Sequence, residues 1–113
     1  MREHEQVSIE ELYRFKLDFM EELILYFLIK HKFRTEEELK SMFNNSQYRE
    51  AVSETLRNLR EKKLVDSAPV KIAKSIVNDD ILNTYPPEAE IYMSLIDFDT
   101  LRKISRMNFD PEY

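Results

Sequence analysis

The sequence predicts a single, mostly α-helical domain with a small β-hairpin. Its 113 residues, 42% apolar and 35% charged, suit one hydrophobic core. In the N-terminal half, apolar residues recur with helical spacing in three segments, and two of these open with a capping-box pattern. Further along, Val70 to Val77 allows a strand, with Lys71 pointing outward. We expect one domain over residues 8-107, with a flexible N-terminus at 1-7 and a flexible tail at 108-113.

Gly and Cys are both missing, and their absence excludes many functions. Walker loops, dinucleotide fingerprints, nucleophile elbows and EF-hand loops all require Gly at fixed offsets, and thiolate metal sites and disulfides require Cys. The two His residues lie in no metal-ligand or catalytic pattern, so we expect no metal, no cofactor and no enzymatic activity. The longest apolar run, Leu23 to Ile29, is too short to cross a bilayer, and we expect a cytoplasmic protein in a reducing compartment with no membrane partner.

The first predicted helix runs from Ser8, paired with Glu11 in a capping box, to about Lys30. It has a main apolar stripe and a second, weaker one. A helix that is apolar on two sides is buried on two sides, either by later parts of its own chain or by a second copy. The second alternative predicts a homodimer interface at Phe15, Phe19, Tyr26 and Ile29. At the end of this helix, a protonated His31 would favour the helix dipole.

The second and third helices are predicted to follow with a tight turn between them. Thr35 and Glu38 open the second helix with a capping box, and it ends near Phe43. Asn44 and Asn45 then form a turn in which Asn takes left-handed backbone angles. The third helix is predicted over 47-62.

Charges on the third helix segregate by sign on its polar side. One edge carries Ser53 and the basic residues, and the next carries the acidic residues: Arg49, Arg57 and Arg60, then Glu50, Glu54 and Glu61. Ion pairs of Arg57 with Glu54 and with Glu61 are available within the helix. Residues 30-63 hold nine basic against six acidic side chains, a net charge of +3. This helix is therefore either a solvated surface or a basic edge for phosphate.

Two segments carry a resemblance to a known superfamily. The segment from Leu56 to Val65, LRNLREKKLV, resembles the end of a recognition helix followed by the start of a wing in winged helix-turn-helix domains. Residues 91 to 97, IYMSLID, resemble the returning wing strand, with Leu101, Ile104 and Met107 on a C-terminal helix capped by Asp97 or Asp99. The resemblance implies a winged helix-turn-helix with N-terminal and C-terminal flanking helices.

Two features depart from that pattern. Lys63 stands where these domains usually have a Gly in a left-handed conformation. About 25 residues separate Val65 from Ile91, more than a two-stranded wing requires. Within them we favour a strand over 70-77, while Pro69 followed by helically spaced apolar residues also permits a short helix.

The resemblance implies a DNA-binding protein, most plausibly a transcriptional regulator, with helix 47-62 in the major groove of double-stranded DNA. Base edges are expected at the start of that helix, phosphates along it and before the second helix, and further phosphates on the wing. The expected residues are Ser46, Gln47, Arg49 and Ser53 for bases, Arg57, Arg60, Lys32 and Arg34 for phosphates, and Lys71 and Lys74 on the wing.

The net charge of −5 opposes binding to a polyanion. The alternative function is a protein–protein interaction adaptor or a dimeric scaffold. Convergence of Arg49, Arg57, Lys71 and Lys74 on one surface would favour DNA. A surface broken by carboxylates, with an apolar patch elsewhere, would favour a protein partner. For DNA, we expect affinity to fall steeply between about 50 and 200 mM salt.

Overall fold

The computed structural model describes residues 17-105, which form a mostly helical fold with a small antiparallel sheet. In chain order the elements are α1 (Phe19–His31), β1 (Arg34–Thr35), α2 (Glu36–Ser41), α3 (Ser46–Glu61), β2 (Val65–Pro69), α4 (Val70–Ile76), a 3-10 helix (Asp80–Thr84), β3 (Glu90–Ser94) and α5 (Phe98–Ile104). The three strands form one sheet in the order β1-β3-β2. The prediction of a mostly helical fold with a small antiparallel β-structure is confirmed, but the β-structure is a three-stranded sheet rather than a hairpin.

Helix α1 begins later than predicted. Asp18 has extended backbone angles and caps the helix, accepting from the Glu21 N–H at 2.8 Å, while Glu21 accepts from the Asp18 N–H at 2.9 Å. The prediction of one helix from Ser8 to Lys30 is wrong, because this second capping box interrupts it. The start at Ser8, residues 1-7 and the tail 108-113 lie outside the described residues.

The helix-turn-helix unit is close to the prediction. Thr35 accepts from the Glu38 N–H at 3.1 Å and Glu38 accepts from the Thr35 N–H at 3.0 Å, so the predicted capping box is confirmed. The prediction of left-handed Asn residues in the turn is wrong. Asn45 has a φ of −86° and caps α3, accepting from the Gln47 N–H at 2.7 Å. An extended Asn with a free side-chain oxygen satisfies the first amides of the helix.

The end of α3 confirms the unusual role of Lys63. This residue has a φ of 63°, the left-handed conformation that favours Gly. The Lys63 N–H donates to the Arg60 carbonyl and the Leu64 N–H donates to the Leu59 carbonyl, each at 3.0 Å. These two bonds form a Schellman motif, which satisfies the last carbonyls of the helix and turns the chain into β2.

Two hydrophobic cores lie on the two faces of the sheet. Alternation along β3 divides them, since Ile91 and Met93 pack in one core and Tyr92 packs against the other. The first core is built from α1, α2, α3 and α5, and the second from α4 and the 3-10 helix. Helices α3 and α4 therefore cover opposite faces of the sheet.

The segment between β2 and β3 is the main correction. The predicted strand over 70-77 is wrong, because α4 occupies it and the strand precedes it. Pro69 has a φ of −61° and stands directly before the helix, and Val70 and Ala73 are buried three residues apart while Ile72 is exposed. This is helical spacing, whereas a strand would place Val70 and Ile72 on one face. The permitted short helix is the observed one.

The C-terminal helix follows the returning strand as predicted. Asp97 is the residue that caps α5, accepting from the Thr100 N–H at 2.8 Å. Met107 lies outside the described residues. Among residues 17-105, no helix is long and apolar enough to cross a membrane.

Candidate nucleic-acid interface

Helix α3 presents a mostly polar face to solvent. Val52, Leu56 and Leu59 are buried in the first core and anchor the opposite side. Because the apolar positions recur every three or four residues, a strip of side chains on the other side is exposed along the whole helix. The exposed residues of α3 are Ser46, Gln47, Tyr48, Glu50, Ser53, Glu54, Arg57, Arg60 and Glu61.

On this face, both exposed arginines lie in the C-terminal half of the helix. Glu50 and Glu54 occupy the N-terminal half, and Arg57, Arg60 and Glu61 occupy the C-terminal half. None of these five side chains forms an ion pair with a residue that the structure describes, so the predicted pairs of Arg57 with Glu54 and Glu61 are not formed. Arg57 and Arg60 are thus available to an anionic partner.

Arg49 is engaged by the turn before α3. Its guanidinium donates to the Phe43 carbonyl at 2.8 Å and to the Asn44 carbonyl at 3.0 Å. Hydrogen bonds from a charged donor are stronger than neutral ones, so these contacts hold the turn in place. Contact with a base would require Arg49 to give up both carbonyls.

Ser53 links the two helices of the helix-turn-helix unit. Its hydroxyl donates to Glu36 Oε2, and Lys40 Nζ lies 3.2 Å from the same oxygen. The Ser53 hydrogen bond, and then Lys40, hold the pKa of Glu36 below its usual value. A carboxylate of α2 therefore lies beside the polar face of α3.

Lys32 and Arg34 also have partners within the chain. Lys32 Nζ lies 3.5 Å from Asp79, and Arg34 Nη1 lies 3.5 Å from Glu38. The Tyr85 hydroxyl donates to Glu38 Oε1 at 2.7 Å, and burial followed by this hydrogen bond raises the pKa of Tyr85. Arg34 belongs to a cluster that joins α2 to the segment before β3, while Lys32 is mostly exposed.

His31 lies at the end of α1 between two cations. Burial, followed by the charges of Arg34 and Lys30, lowers the pKa of the imidazole from 6.5. This shift disfavours the protonated imidazole that would interact with the helix dipole.

Lys71 and Lys74 lie on α4 rather than on a wing. Both are exposed, and neither forms an ion pair within residues 17-105. Since α4 and α3 cover opposite faces of the sheet, these lysines do not join Arg57 on one surface. The predicted basic surface is reduced to Arg57 and Arg60.

The residues of the predicted dimer interface have different surroundings. The Tyr26 ring packs 6.1 Å from Phe98 of α5, and Ile29 packs against the first core. Phe19 is 51% exposed and lies 6.4 Å from Tyr48, and Phe15 lies outside the described residues. Burial of Tyr26 by α5 corresponds to the alternative of burial by the chain itself.

One buried ion pair was not predicted. Glu21 is 2% exposed, and Lys62 Nζ donates to its two carboxylate oxygens at 2.9 and 2.8 Å. The pair joins the start of α1 to the end of α3 and fixes where the C-terminal half of α3 lies. The Asp18–Glu21 capping spacing was a usable signal for Glu21, but nothing local predicted Lys62 as its partner.

The described residues contain no group of three or more His, Cys, Asp and Glu side chains that could hold a metal ion. Comparison of the chain with protein-family models, with curated proteins and with solved structures finds no match.

Proposed function

We propose that the chain is a winged helix-turn-helix domain that binds double-stranded DNA through α3, as a transcriptional regulator. The observation that carries the proposal is the polar face of α3, which is exposed along the whole helix. The short helix α2 and the tight turn after it position α3. The order of elements supports it, since three helices are followed by the antiparallel strands β2 and β3 and by a C-terminal helix, although α4 and the 3-10 helix lie between the two strands. A DNA-binding helix needs one apolar side packed in the core and one polar side exposed to the groove, and α3 has both.

In this proposal, the two halves of α3 have separate roles. A helix of 16 residues is about 24 Å long, so its first two turns reach base edges in the major groove while later turns approach the backbone. Gln47 is suited to adenine, and Arg57 and Arg60 are suited to phosphates.

Two of the predicted contact residues, Arg49 and Ser53, hold α3 in position rather than contacting DNA. Arg49 fixes the turn and Ser53 joins α3 to α2, while Lys62, which was not among the predicted contacts, joins α3 to α1. Preorganisation of this kind lowers the entropic cost of binding.

The test is a fluorescence-anisotropy titration of a labelled duplex pool of random sequence at low salt. We expect saturable binding by the native chain and at least tenfold weaker binding by the double variant Arg57→Ala/Arg60→Ala. Both substitutions are on exposed positions, so the two proteins should share one melting temperature. Typical non-specific DNA binding has a Kd no weaker than about 100 μM. The absence of any anisotropy change at protein concentrations up to about 100 μM therefore contradicts the proposal.

A second candidate function, a protein-interaction module or dimeric scaffold, is favoured by the criterion set from the sequence. The four predicted cations do not converge on one surface, carboxylates interrupt the polar face of α3, and an apolar patch lies on α4. Ile72 and Ile76 are 48% and 77% exposed and lie one turn apart on the same side. Adjacent exposed isoleucines gain from burial against a partner. Sedimentation at high concentration tests self-association, and Ile76→Asp should then restore the monomer while the exposed control Leu95→Asp should not.

A further inference from the structure

Glu50 occupies the most outward position on the first two turns of α3. It lies nine residues before the buried Leu59, which at 100° per residue places the two on opposite sides of the helix. Arg57 follows two turns later on the same side, about 10 Å along the axis. Any duplex that Arg57 contacts through its backbone therefore has Glu50 facing its groove.

The cations near Glu50 do not neutralise it. Arg49 donates to two backbone carbonyls, and Lys40 is paired with Glu36. Glu50 has no ion-pair partner among the described residues, and the next outward side chain, Glu54, is also acidic. The N-terminal half of α3 therefore exposes two carboxylates that form no ion pair with the described residues.

A carboxylate facing the major groove accepts hydrogen bonds and donates none. Phosphates repel it, and the exposed acceptors of guanine and thymine leave it desolvated without a partner. Two bases offer an amino donor in the major groove. Adenine carries its N6 donor beside the N7 acceptor, which repels a carboxylate, so the N4 amino group of cytosine is the donor that Glu pairs with.

We propose that Glu50 is a specificity-determining residue that selects a cytosine at one fixed position of the duplex and suppresses binding elsewhere. This inference rests on the proposed function. Glu50 acts in two ways, because the same carboxylate that accepts from cytosine N4 is repelled by the phosphates and by the acceptor groups of duplexes that lack a cytosine at that position. Only two unpaired arginines on α3 attract phosphates, so discrimination against random DNA depends strongly on this repulsion.

The experiment is a selection from a random duplex library with the full chain, the variant Glu50→Gln and the matched control Glu61→Gln. Glu61 carries the same charge on the exposed side at the far end of α3. We expect the native chain and Glu61→Gln to enrich cytosine at one position. Glu50→Gln should lose that preference by about 5- to 150-fold. It should also bind the random pool more tightly than Glu61→Gln does.

Two negative results are distinguishable. If all three proteins bind DNA and Glu50→Gln keeps the cytosine preference, the inference is overturned while the proposed function stands. If none of them binds any duplex at low salt, the proposed function is overturned, and the inference with it.

Discussion

The scarcity of unpaired cations on α3 predicts a shallow salt dependence of DNA binding. Each phosphate neutralised contributes about −0.9 to the slope of log K against log salt. Arg57 and Arg60 together predict a slope of about −1.8, so affinity should fall about 12-fold between 50 and 200 mM salt. The steeper loss of affinity expected from the sequence assumed phosphate contacts by further cations. In the structure, those cations have partners within the chain or lie on α4. If Lys63 also meets a phosphate, the slope reaches about −2.7.

The perturbation is stepwise removal of these arginines. Arg57→Ala should lower the magnitude of the slope to about 0.9, and the double variant Arg57→Ala/Arg60→Ala should bring it near zero. The matched control is Lys71→Ala/Lys74→Ala, which removes the same charge from α4. Because α4 covers the other face of the sheet, the control should keep the native slope.

The assay is fluorescence anisotropy with one labelled duplex at five salt concentrations, with the stoichiometry measured by sedimentation. A native slope steeper than about −5 per chain would mean more phosphate contacts than α3 can supply. If the magnitude of the slope decreases in the α4 control and stays constant in the arginine variants, the DNA binds α4 rather than α3. Either result refutes the reasoning.

Two further predictions concern residues that hold α3, and a third concerns His31 at the end of α1. Arg49→Ala should destabilise the fold by about 1 to 2 kcal/mol, seen as a melting temperature several degrees lower, because the Phe43 carbonyl loses its charged donor; an unchanged melting temperature would show that the contact contributes nothing. Ser53→Ala should raise the pKa of Glu36 towards 4.5, which carboxyl carbon NMR can follow. The variant should be less stable than the native chain at neutral pH, and this difference in stability should disappear when the medium is acidic enough to protonate Glu36. An unchanged pKa of Glu36 contradicts this prediction. His31 has a lowered pKa in the fold, so the unfolded chain binds its proton first and stability should decline as pH falls through about 6.5, while His31→Gln should flatten that decline; identical profiles would refute it.

Local signals predicted the helix-turn-helix well. Thr35 and Glu38 open α2 through contacts three residues apart, and the apolar period of α3 determines which side is buried. Lys63 was predicted at the turn after α3 for the same reason, since its hydrogen bonds reach back within one turn. Such features depend on residues within a few positions of each other, so local sequence patterns predict them.

The errors lie where distant residues decide the structure. The run from Val70 to Val77 is apolar enough for either a strand or a helix, and burial of Val70 and Ala73 against Ile91 selects the helix. Strand β1 has two residues, and only pairing with β3 identifies it. Periodicity predicts no partner 50 or more residues away.

The candidate site divides in the same way. Exposure of Arg57 and Arg60 follows from the period of their own helix and was predicted. The carbonyl partners of Arg49 depend on the conformation of the turn, and the location of Lys71 depends on whether its segment is a strand or a helix. Availability of a charge to a partner is therefore harder to predict than its exposure.

The most direct test of the central claim is an NMR titration of the isotope-labelled chain with a duplex obtained by selection. If α3 enters the groove, the backbone amide shifts should change most over residues 46-60 and little over α4, and the changes should saturate at a defined stoichiometry. Shift changes concentrated on α4, or none at saturating duplex, would contradict DNA binding through α3.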